Sequence, residues 1–322
     1  MYKWYPLFLR SLIALCALVA LSTTVFAQGT KIELNAGREF HLGIPHCNKP
    51  ATEGARGVPL QLWIGSKVDT KVFIEAPAIG LAKSVTVEAG KVKTVDIPEG
   101  LMNVQGEIAR PYGIHVVSDE PVTVTLYVSY KVSGEAMVAI PDEYLGKKYY
   151  ALSMYQDATN TNDYKPGQIL VVATQNNTKV SYLPPVPTEK TGANKWGSVT
   201  LQQGETFLIQ SKIQPAYNQD YKTDLSGTLI EATKPIAVFS GHTKGAFPRF
   251  SATMLGITAA FMRNMMVDQM WPIEQLGTEY VSAPVQYIGR TPNGVDPDAL
   301  GDLIVFVATQ DNTNLYVNRP DG

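Results

Sequence analysis

The stretches GIHVVSDEPVTVTLYVS (113–129) and GTLIEATKPIAVFSGHT (227–243) follow the same plan. Each begins at a glycine and places a proline, Pro121 or Pro235, eight positions later. Val, Ile, Thr and Tyr at this density, in segments bounded by Gly, Pro or Asp, are typical of β-strands. The first stretch contains two such strand signals, separated at Pro121, and the alternation in VTVTLYV predicts a strand with one buried face.

Four sequence motifs recur in the same order along the chain, and the two stretches quoted above are both copies of the fourth motif. Before each comes an opening strand, then a hairpin with a polar turn, then a hairpin that turns on glycine. The first hairpin is clearest in VATQNNTKVSY (172–182) and VATQDNTNLYV (307–317), and the turn threonines are Thr70, Thr178 and Thr313. Ordered recurrence of this kind indicates a tandem array of one β-module.

The repeat divides the chain into module one (28–145), module two (146–276) and the start of a third module (277–322). The third has only the opening strand and first hairpin, which cannot bury an apolar face alone, so we expect the protein to continue beyond Gly322. The predicted fold class is all-β, with tandem β-sandwich-like modules of antiparallel sheets. Propeller blades are the alternative, but they usually span about 40–50 residues.

One segment of module two departs from the strand pattern. In SATMLGITAAFMRNMMVDQMW (251–271), Met254, Ile257, Phe261 and Met265 are spaced as on a helix. The segment therefore predicts one short helix in module two. Its methionines suit either a helix that covers a sheet edge, which we favour, or an adaptable docking surface.

Residues 1–27 have the features of a cleaved secretory signal peptide. Two basic residues precede a short apolar run, which ends in small residues with a cleavage site after Ala27. Hydroxyl residues interrupt the run before it reaches the roughly 20 residues of a membrane span. A lipoprotein signal would use Cys16, but Leu15 is too large for the position before it. We expect the mature protein to be secreted, extracellular or attached to the cell surface.

The charge and cysteine content of the mature chain narrow its function. Removal of the signal peptide lowers the count of Lys and Arg from 27 to 25 against 29 acidic residues, a net charge of about −4. This argues against a nucleic-acid partner, which would favour a basic surface. Cys47 is then the only cysteine, so no disulfide can form within the chain and stability must come from packed cores.

Four motifs, in this order, carry a resemblance to a known family: IPDEYLGKKYY (140–150), ILVVATQNNTKV (169–180), DLSGTLIEATKPIAVFSGH (224–242) and DQMWPIEQLGTEYV (268–281). They resemble the N-terminal domain of the IgGFc-binding protein, which also occurs in many secreted bacterial proteins, and the chain is identified as a bacterial secreted member of that family. The resemblance spans roughly 39–317. It implies an extracellular, non-enzymatic, adhesive or binding role.

The chain departs from the family pattern at its cysteines. Family members commonly place one cysteine just after Ser-Gly-His and another in the following segment. Here those segments read SGHTKGAFPRF (240–250) and FMRNMMVDQM (261–270), so the local disulfide implied by the resemblance is absent. Immunoglobulin binding belongs to the animal namesake, and the resemblance does not carry it to this chain.

The candidate ligand-binding residues lie in and near the loop QPAYNQDYKTD (214–224). Tyrosine supplies a large contact area with a polar tip, which suits protein or glycan surfaces, although both rings could instead pack on the sandwich. The predicted binding residues are Tyr217, Tyr221, Asp224 and His242. With Ser226 and Asp224, His242 could also suggest a hydrolase triad, but the G-x-S-x-G nucleophile elbow is missing and we predict no catalysis.

No metal or cofactor is predicted. His41, His46 and Cys47 include donors that zinc accepts, but no second Cys/His pair lies near them in the sequence. The acidic loops QDATNTNDYKPG (156–167) and TPNGVDPDALGD (291–302) could bind calcium, although such residues also simply make turns, which we favour.

The predicted function is a binding or adhesion module that recognises a protein or glycoprotein ligand, with no nucleic acid or small-molecule cofactor as partner. The alternative is a structural spacer within a larger surface protein. The long loops of module two favour a binder, because a spacer has no use for them.

Overall fold

The computed structural model describes residues 35–48, 55–130, 133–158, 162–217, 220–245, 263–282 and 304–318. In these ranges the chain forms 17 β-strands and six single-turn 3-10 helices. A search of the described residues finds no helix with the length and apolar character needed to cross a membrane. The predicted all-β class is confirmed.

The strands of the first half are β1 (Gly37–Leu42), β2 (Ala55–Ser66), β3 (Thr70–Ala76), β4 (Leu81–Val87), β5 (Val92–Asp96), β6 (Ala109–Arg110), β7 (Ile114–Tyr130) and β8 (Ser133–Val138). Those of the second half are β9 (Gly146–Tyr150), β10 (Asp157–Ala158), β11 (Tyr164–Lys165), β12 (Gly167–Ala173), β13 (Thr178–Leu183), β14 (Gly197–Leu201), β15 (Thr206–Gln210), β16 (Leu229–Gly245) and β17 (Asn264–Gln269). The 3-10 helices are Pro77–Ile79, Glu99–Leu101, Asp142–Tyr144, Pro215–Tyr217, Tyr221–Thr223 and Ile273–Gln275.

The topology of the first sheet is repeated in the second. The first has the order β4-β3-β7-β2-β5, and β1 and β8 also pair with β7. The second has the order β14-β13-β16-β12-β15, extended by β6, and β9 and β17 also pair with β16. These strands pair antiparallel throughout. The repeat seen in the sequence is therefore also a repeat of strand order, while the residue boundaries of the three modules stay a prediction.

One long strand organises each sheet. Both β7 and β16 contain 17 residues. The first part of β7 pairs with β1 and β3, and the part from Val122 onward pairs with β2 and β8. Likewise, β16 changes partners from β9 and β13 to β12 and β17. Both changes occur beside a proline, Pro121 or Pro235, which has no N–H to donate to a ladder. The two strand signals of 113–129 thus belong to a single strand that serves two layers.

The buried side chains form two cores. One lies within module two and includes Ile169, Val171 and Ile209. The other fills module one and continues onto the opposite face of β12 and β15, where Leu170 and Leu208 join it. Side chains alternate across a strand, so both faces of β12 and β15 are covered, and all of their residues are buried. One face of module two is therefore packed against module one.

A glycine–proline contact recurs at the entrance to modules one and two. A β-carbon built on Gly37 would overlap Pro141, and a β-carbon built on Gly146 would overlap Pro272. Pro141 and Pro272 each immediately precede a 3-10 helix, in which Glu143 and Glu274 stand at equivalent positions. The absent side chain lets the connecting segment lie directly on the first strand of its module.

The prediction of a helix over 251–271 is wrong in its last part. Asn264–Gln269 is strand β17, which pairs with β16 from Phe239 to Gly245. Met265 lies in the core shared by the modules. Met254, Ile257 and Phe261 fall outside the described residues. Pairing with an unsatisfied strand edge overrides a weak helical periodicity, because a full ladder of backbone hydrogen bonds is gained.

The polar turn of the hairpin is the same in modules two and three. Asn177 and Asn312 adopt φ angles of 56° and 59°. Thr178 donates its hydroxyl to the Gln175 carbonyl at 2.7 Å, and Thr313 donates to the Gln310 carbonyl at 2.8 Å. Asn tolerates this left-handed conformation better than most residues, which explains the repeated letters of the motif.

We expect Gly37→Ala and Gly146→Ala each to lower the free energy of unfolding by about 1–3 kcal/mol, because the added methyl group overlaps a proline ring. Urea denaturation of the full chain measures the change. The matched control is Gly100→Ala, since a β-carbon there meets nothing within 4 Å. Equal stability of all three variants would show that the glycine–proline contact is not tight.

Candidate functional site

The predicted tyrosine surface lies on a loop that joins β15 to β16. Tyr217 ends one 3-10 helix and Tyr221 begins the next. Tyr221 is 75% exposed and Tyr217 is 38% exposed, so neither ring is packed into the core. The ammonium group of Lys222 lies 4.5 Å from the centroid of the Tyr217 ring. The two rings and this cation form a surface of the mixed aromatic and polar kind used for binding.

Partly buried hydrogen bonds hold this loop at both ends. The side-chain amide of Gln156, which is fully buried, donates to the Gln214 carbonyl at 2.7 Å and accepts from the Gln214 N–H at 2.8 Å. At the other end, the Ser226 hydroxyl accepts from the Ser153 N–H at 2.9 Å and donates to the Ser153 carbonyl at 3.2 Å. A loop fixed in this way loses less conformational entropy when it binds.

The other two predicted binding residues have different surroundings. Asp224 lies in the same loop, where its carboxylate accepts from the Ser226 N–H at 2.8 Å and shapes the turn. His242 is fully buried on β16, and its Nδ1 accepts from the Lys244 N–H at 3.1 Å. Burial lowers the pKa of His242 to about 4, so the ring is neutral. The structure thus brings Tyr217, Tyr221 and Asp224 together and places His242 inside the protein.

The hydrogen bonds of the hydrolase candidates do not form a triad. The Ser226 hydroxyl bonds with the backbone of Ser153, and Asp224 bonds with the backbone of Ser226. A triad requires the histidine to contact both the hydroxyl and the carboxylate. In the bonds described for these residues, His242 takes neither role.

The acidic loop of module two uses two of its carboxylates in ion pairs. Asp157 is buried and pairs with Arg263, with 2.7 Å between Oδ2 and Nε. Asp163 pairs with the buried ammonium group of Lys165 at 2.7 Å. Asn160 and the loop 291–302 lie outside the described residues. Calcium at these loops stays a prediction that we do not favour, because these carboxylates already face cations.

The residues HLGIPHC do not act as one cluster. His46 is partly buried, its Nδ1 contacts the Gln210 amide at 3.1 Å, and desolvation lowers its pKa to about 4. Cys47 is also buried, and its thiol donates to the Ser133 hydroxyl at 3.5 Å. His41 points to the other side of β1 from the core residues Phe40 and Leu42. This agrees with the odd spacing between the two histidines.

A histidine and carboxylate cluster surrounds His41 instead. His41 and His115 are directly opposite on β1 and β7, and their rings stack with centroids 4.3 Å apart. His41 Nδ1 lies 2.6 Å from Asp142, and His115 lies 2.9 Å from Glu39 and 3.0 Å from Glu75. Burial opposes protonation of His115, but the hydrogen bonds and charges of the two glutamates outweigh it and raise the pKa of its ring. Sequence reasoning did not find this cluster, because strand pairing alone brings its members together.

This cluster borders a cleft of about 1010 Å³ between the two modules. Its walls include Glu39 and Asp142 on one side and Gln203 and Lys234 on the other. A cleft of this size, lined by polar groups of both signs, can accept a polar segment of another molecule.

An aromatic pair also lies on the open face of the first sheet. Trp63 and Tyr127 stack with ring centroids 4.7 Å apart, and Trp63 donates its indole N–H to Gln61 at 3.1 Å. Trp63 and Tyr127 stand on neighbouring strands β2 and β7. Sequence reasoning did not predict this pair, since a single Trp in an alternating strand indicates only which face is outward.

Comparison with known proteins gives one match. The model of a family described as IgGFc binding protein matches residues 135–322, which is more than half of the chain. Searches of curated proteins and of solved structures found no match.

Two neutral histidines, the partly buried His46 and the fully buried His242, predict how the free energy of unfolding depends on pH. The pKa of His46 and His242 is about 4 in the folded chain, against about 6.5 when unfolded. The contribution of the two neutral rings to the free energy of unfolding is fully present above pH 6.5. It is lost as the pH falls toward 4, because the unfolded state then binds more protons than the folded state. When the pH falls from 6.5 to 4.5, we expect the free energy of unfolding to decrease in both proteins. The decrease should be smaller in His242→Gln than in the wild type, by up to about 2.5 kcal/mol.

Denaturant unfolding of the full chain at a series of pH values measures this difference. His46→Gln should likewise make the free energy of unfolding depend less on pH. Ser84→Ala, an exposed neutral residue of β4, should leave it unchanged. A His242→Gln profile parallel to that of the wild type would contradict the assignment of a buried neutral ring.

Proposed function

The chain belongs to the IgGFc-binding protein family, and on that premise we propose that it is a secreted or cell-surface module that binds a protein or glycoprotein ligand without catalysis. The family supports a protein-binding role. The signal-peptide features of residues 1–27 support secretion. The slightly negative net charge of the sequence supports a partner other than nucleic acid.

The proposed contact surface is the loop around Tyr217 and Tyr221. The observation that carries it is the exposure of both rings on a loop that partly buried hydrogen bonds hold at each end. Exposed aromatic rings in a rigid frame are typical binding anchors, because they bury large areas at low entropic cost. Asp224 supports the loop backbone, and His242 contributes to the packing beneath β16 rather than to a contact.

A structural spacer is the second candidate, and one specific observation favours it. The core of module one continues onto module two, so the two modules pack closely. Closely packed β-modules can hold a distal domain at a distance. The tyrosine loop distinguishes the two functions, since a spacer does not need an exposed and fixed aromatic surface.

We expect the double variant Tyr217→Ala and Tyr221→Ala to lower affinity for the ligand at least five- to tenfold, because losing an aromatic anchor commonly costs more than about 1 kcal/mol. Purified mucus, extracellular-matrix and serum glycoproteins, immobilised one at a time, supply the panel for surface binding measurements. The matched control is Tyr280→Ala, a tyrosine that is 71% exposed elsewhere.

A ligand bound equally by all three proteins would remove the tyrosine site but keep the binding function. Absence of binding across the panel would favour the spacer. Ester or peptide hydrolysis that disappears in His242→Ala would overturn both and indicate an enzyme.

The frame of the loop gives a separate prediction. Gln156→Ala removes the amide that pairs with the Gln214 backbone and leaves buried polar groups unsatisfied, so we expect a cost of about 1–3 kcal/mol in unfolding free energy. Ligand affinity should also fall, although both tyrosines remain. Unfolding and binding are measured on the same preparation. Unchanged affinity would show that binding does not require the hydrogen bonds that hold the loop.

A further inference from the structure

We propose that Glu39, His41 and His115 form a binding site for one zinc ion. His41 and His115 are cross-strand partners on β1 and β7, and Glu39 lies two residues before His41 on the same side of β1. One ligand atom from each of the three side chains lies within 4.8 Å of the other two. Strand pairing, which is rigid, therefore sets the positions of all three donors.

A carboxylate supports each imidazole of the site. His41 Nδ1 lies 2.6 Å from Asp142 Oδ2, and the same aspartate accepts from the His41 N–H at 2.9 Å. His115 Nδ1 lies 3.0 Å from Glu75 Oε1. A carboxylate at Nδ1 holds a proton there, so that Nε2 is the nitrogen that can bind a metal, which is the arrangement seen at metal-ligating histidines. At His115, zinc would have to displace the proton that Nε2 shares with Glu39.

The two Nε2 atoms have contacts that a metal can replace. His115 Nε2 lies 2.9 Å from Glu39 Oε1, so the third donor already faces the second. His41 Nε2 has only a long contact, at 3.4 Å, with the Gln203 amide. Tetrahedral zinc, with bonds of about 2.0–2.1 Å, places its ligands about 3.4 Å apart. The His41 and His115 rings stack with an interplanar angle of 22°, so the His115 ring would have to rotate for both Nε2 atoms to face one ion. His115 is partly exposed and Glu39 is exposed, which leaves room for that rotation.

The donor set selects zinc over harder cations. Two imidazole nitrogens and one carboxylate match zinc sites with three protein ligands and one open position. Calcium and magnesium prefer oxygen ligands alone. The open position would face the cleft, because Glu39 and Asp142 both line it.

The site lies where the modules meet. Asp142 belongs to the 3-10 helix between β8 and β9, and Gln203 belongs to the turn between β14 and β15 of module two. Zinc at this position would fix the carboxylate of the connecting segment to the first strand of module one. It would also offer an exchangeable fourth ligand position to a donor entering the cleft.

Titration of the full chain, free of any affinity tag and stripped of metal, with zinc chloride in a calorimeter tests the proposal. We expect one zinc ion per chain. Glu39→Gln and His115→Gln should each weaken zinc affinity at least tenfold, and Asp142→Asn and Glu75→Gln should weaken it by roughly 10–100-fold. An excess of calcium chloride should not displace the zinc.

Three matched controls locate the site. Glu88→Gln removes an exposed carboxylate elsewhere on module one and should leave zinc affinity unchanged. His46→Gln and Cys47→Ser remove the other donors of HLGIPHC and should also leave it unchanged. Circular dichroism and urea unfolding confirm that each variant is folded before its zinc affinity is compared.

The absorption spectrum of the cobalt-loaded chain provides a second readout, because four-coordinate cobalt absorbs far more strongly than hydrated cobalt. This band should appear with the wild type and disappear with folded His115→Gln. The proposal is overturned by a wild type that binds no zinc, by equal zinc affinity in Glu39→Gln and His115→Gln, or by loss of binding in His46→Gln or Cys47→Ser alone.

Discussion

Backbone pairing along β7 and β16 is the constraint on which the rest of the structure depends. Each strand contributes hydrogen bonds to four neighbours, two before its proline and two after it. Because one continuous strand serves both layers, the positions of the layers are not independent. A sandwich built in this way is held together by the covalent chain itself, and no disulfide is needed to join its sheets.

In module two, the central strands β12 and β15 are buried on both faces. Leu170 and Leu208 face the core shared with module one, while Ile169 and Ile209 face the core of module two. The run ILVVA, which has no polar residue, satisfies both requirements at once. Covering two faces of one sheet supplies apolar burial on both sides of β12 and β15.

The polar surface groups occupy the places that this packing leaves open. The tyrosine loop exposes both of its rings, and Gln156 and Ser226 hold its ends by hydrogen bonds. The His41 cluster lies on the outer face of the first sheet, at the edge of the cleft between modules. Strand pairing thus sets the positions of the histidine and carboxylate side chains, and the packing of the modules forms the cleft beside them.

The repeated landmarks of the sequence determined the all-β class, the tandem strand order and the family, because these depend on local β signals and on recurrence. They also indicated the tyrosine loop, whose composition is local. Only the tertiary structure decided that β7 runs through Pro121, that 264–269 is a strand and that His242 is buried, because each depends on a partner strand. The pairing of His41 with His115 follows from the same cause: residues far apart in sequence share a site only once the register of two strands has been fixed.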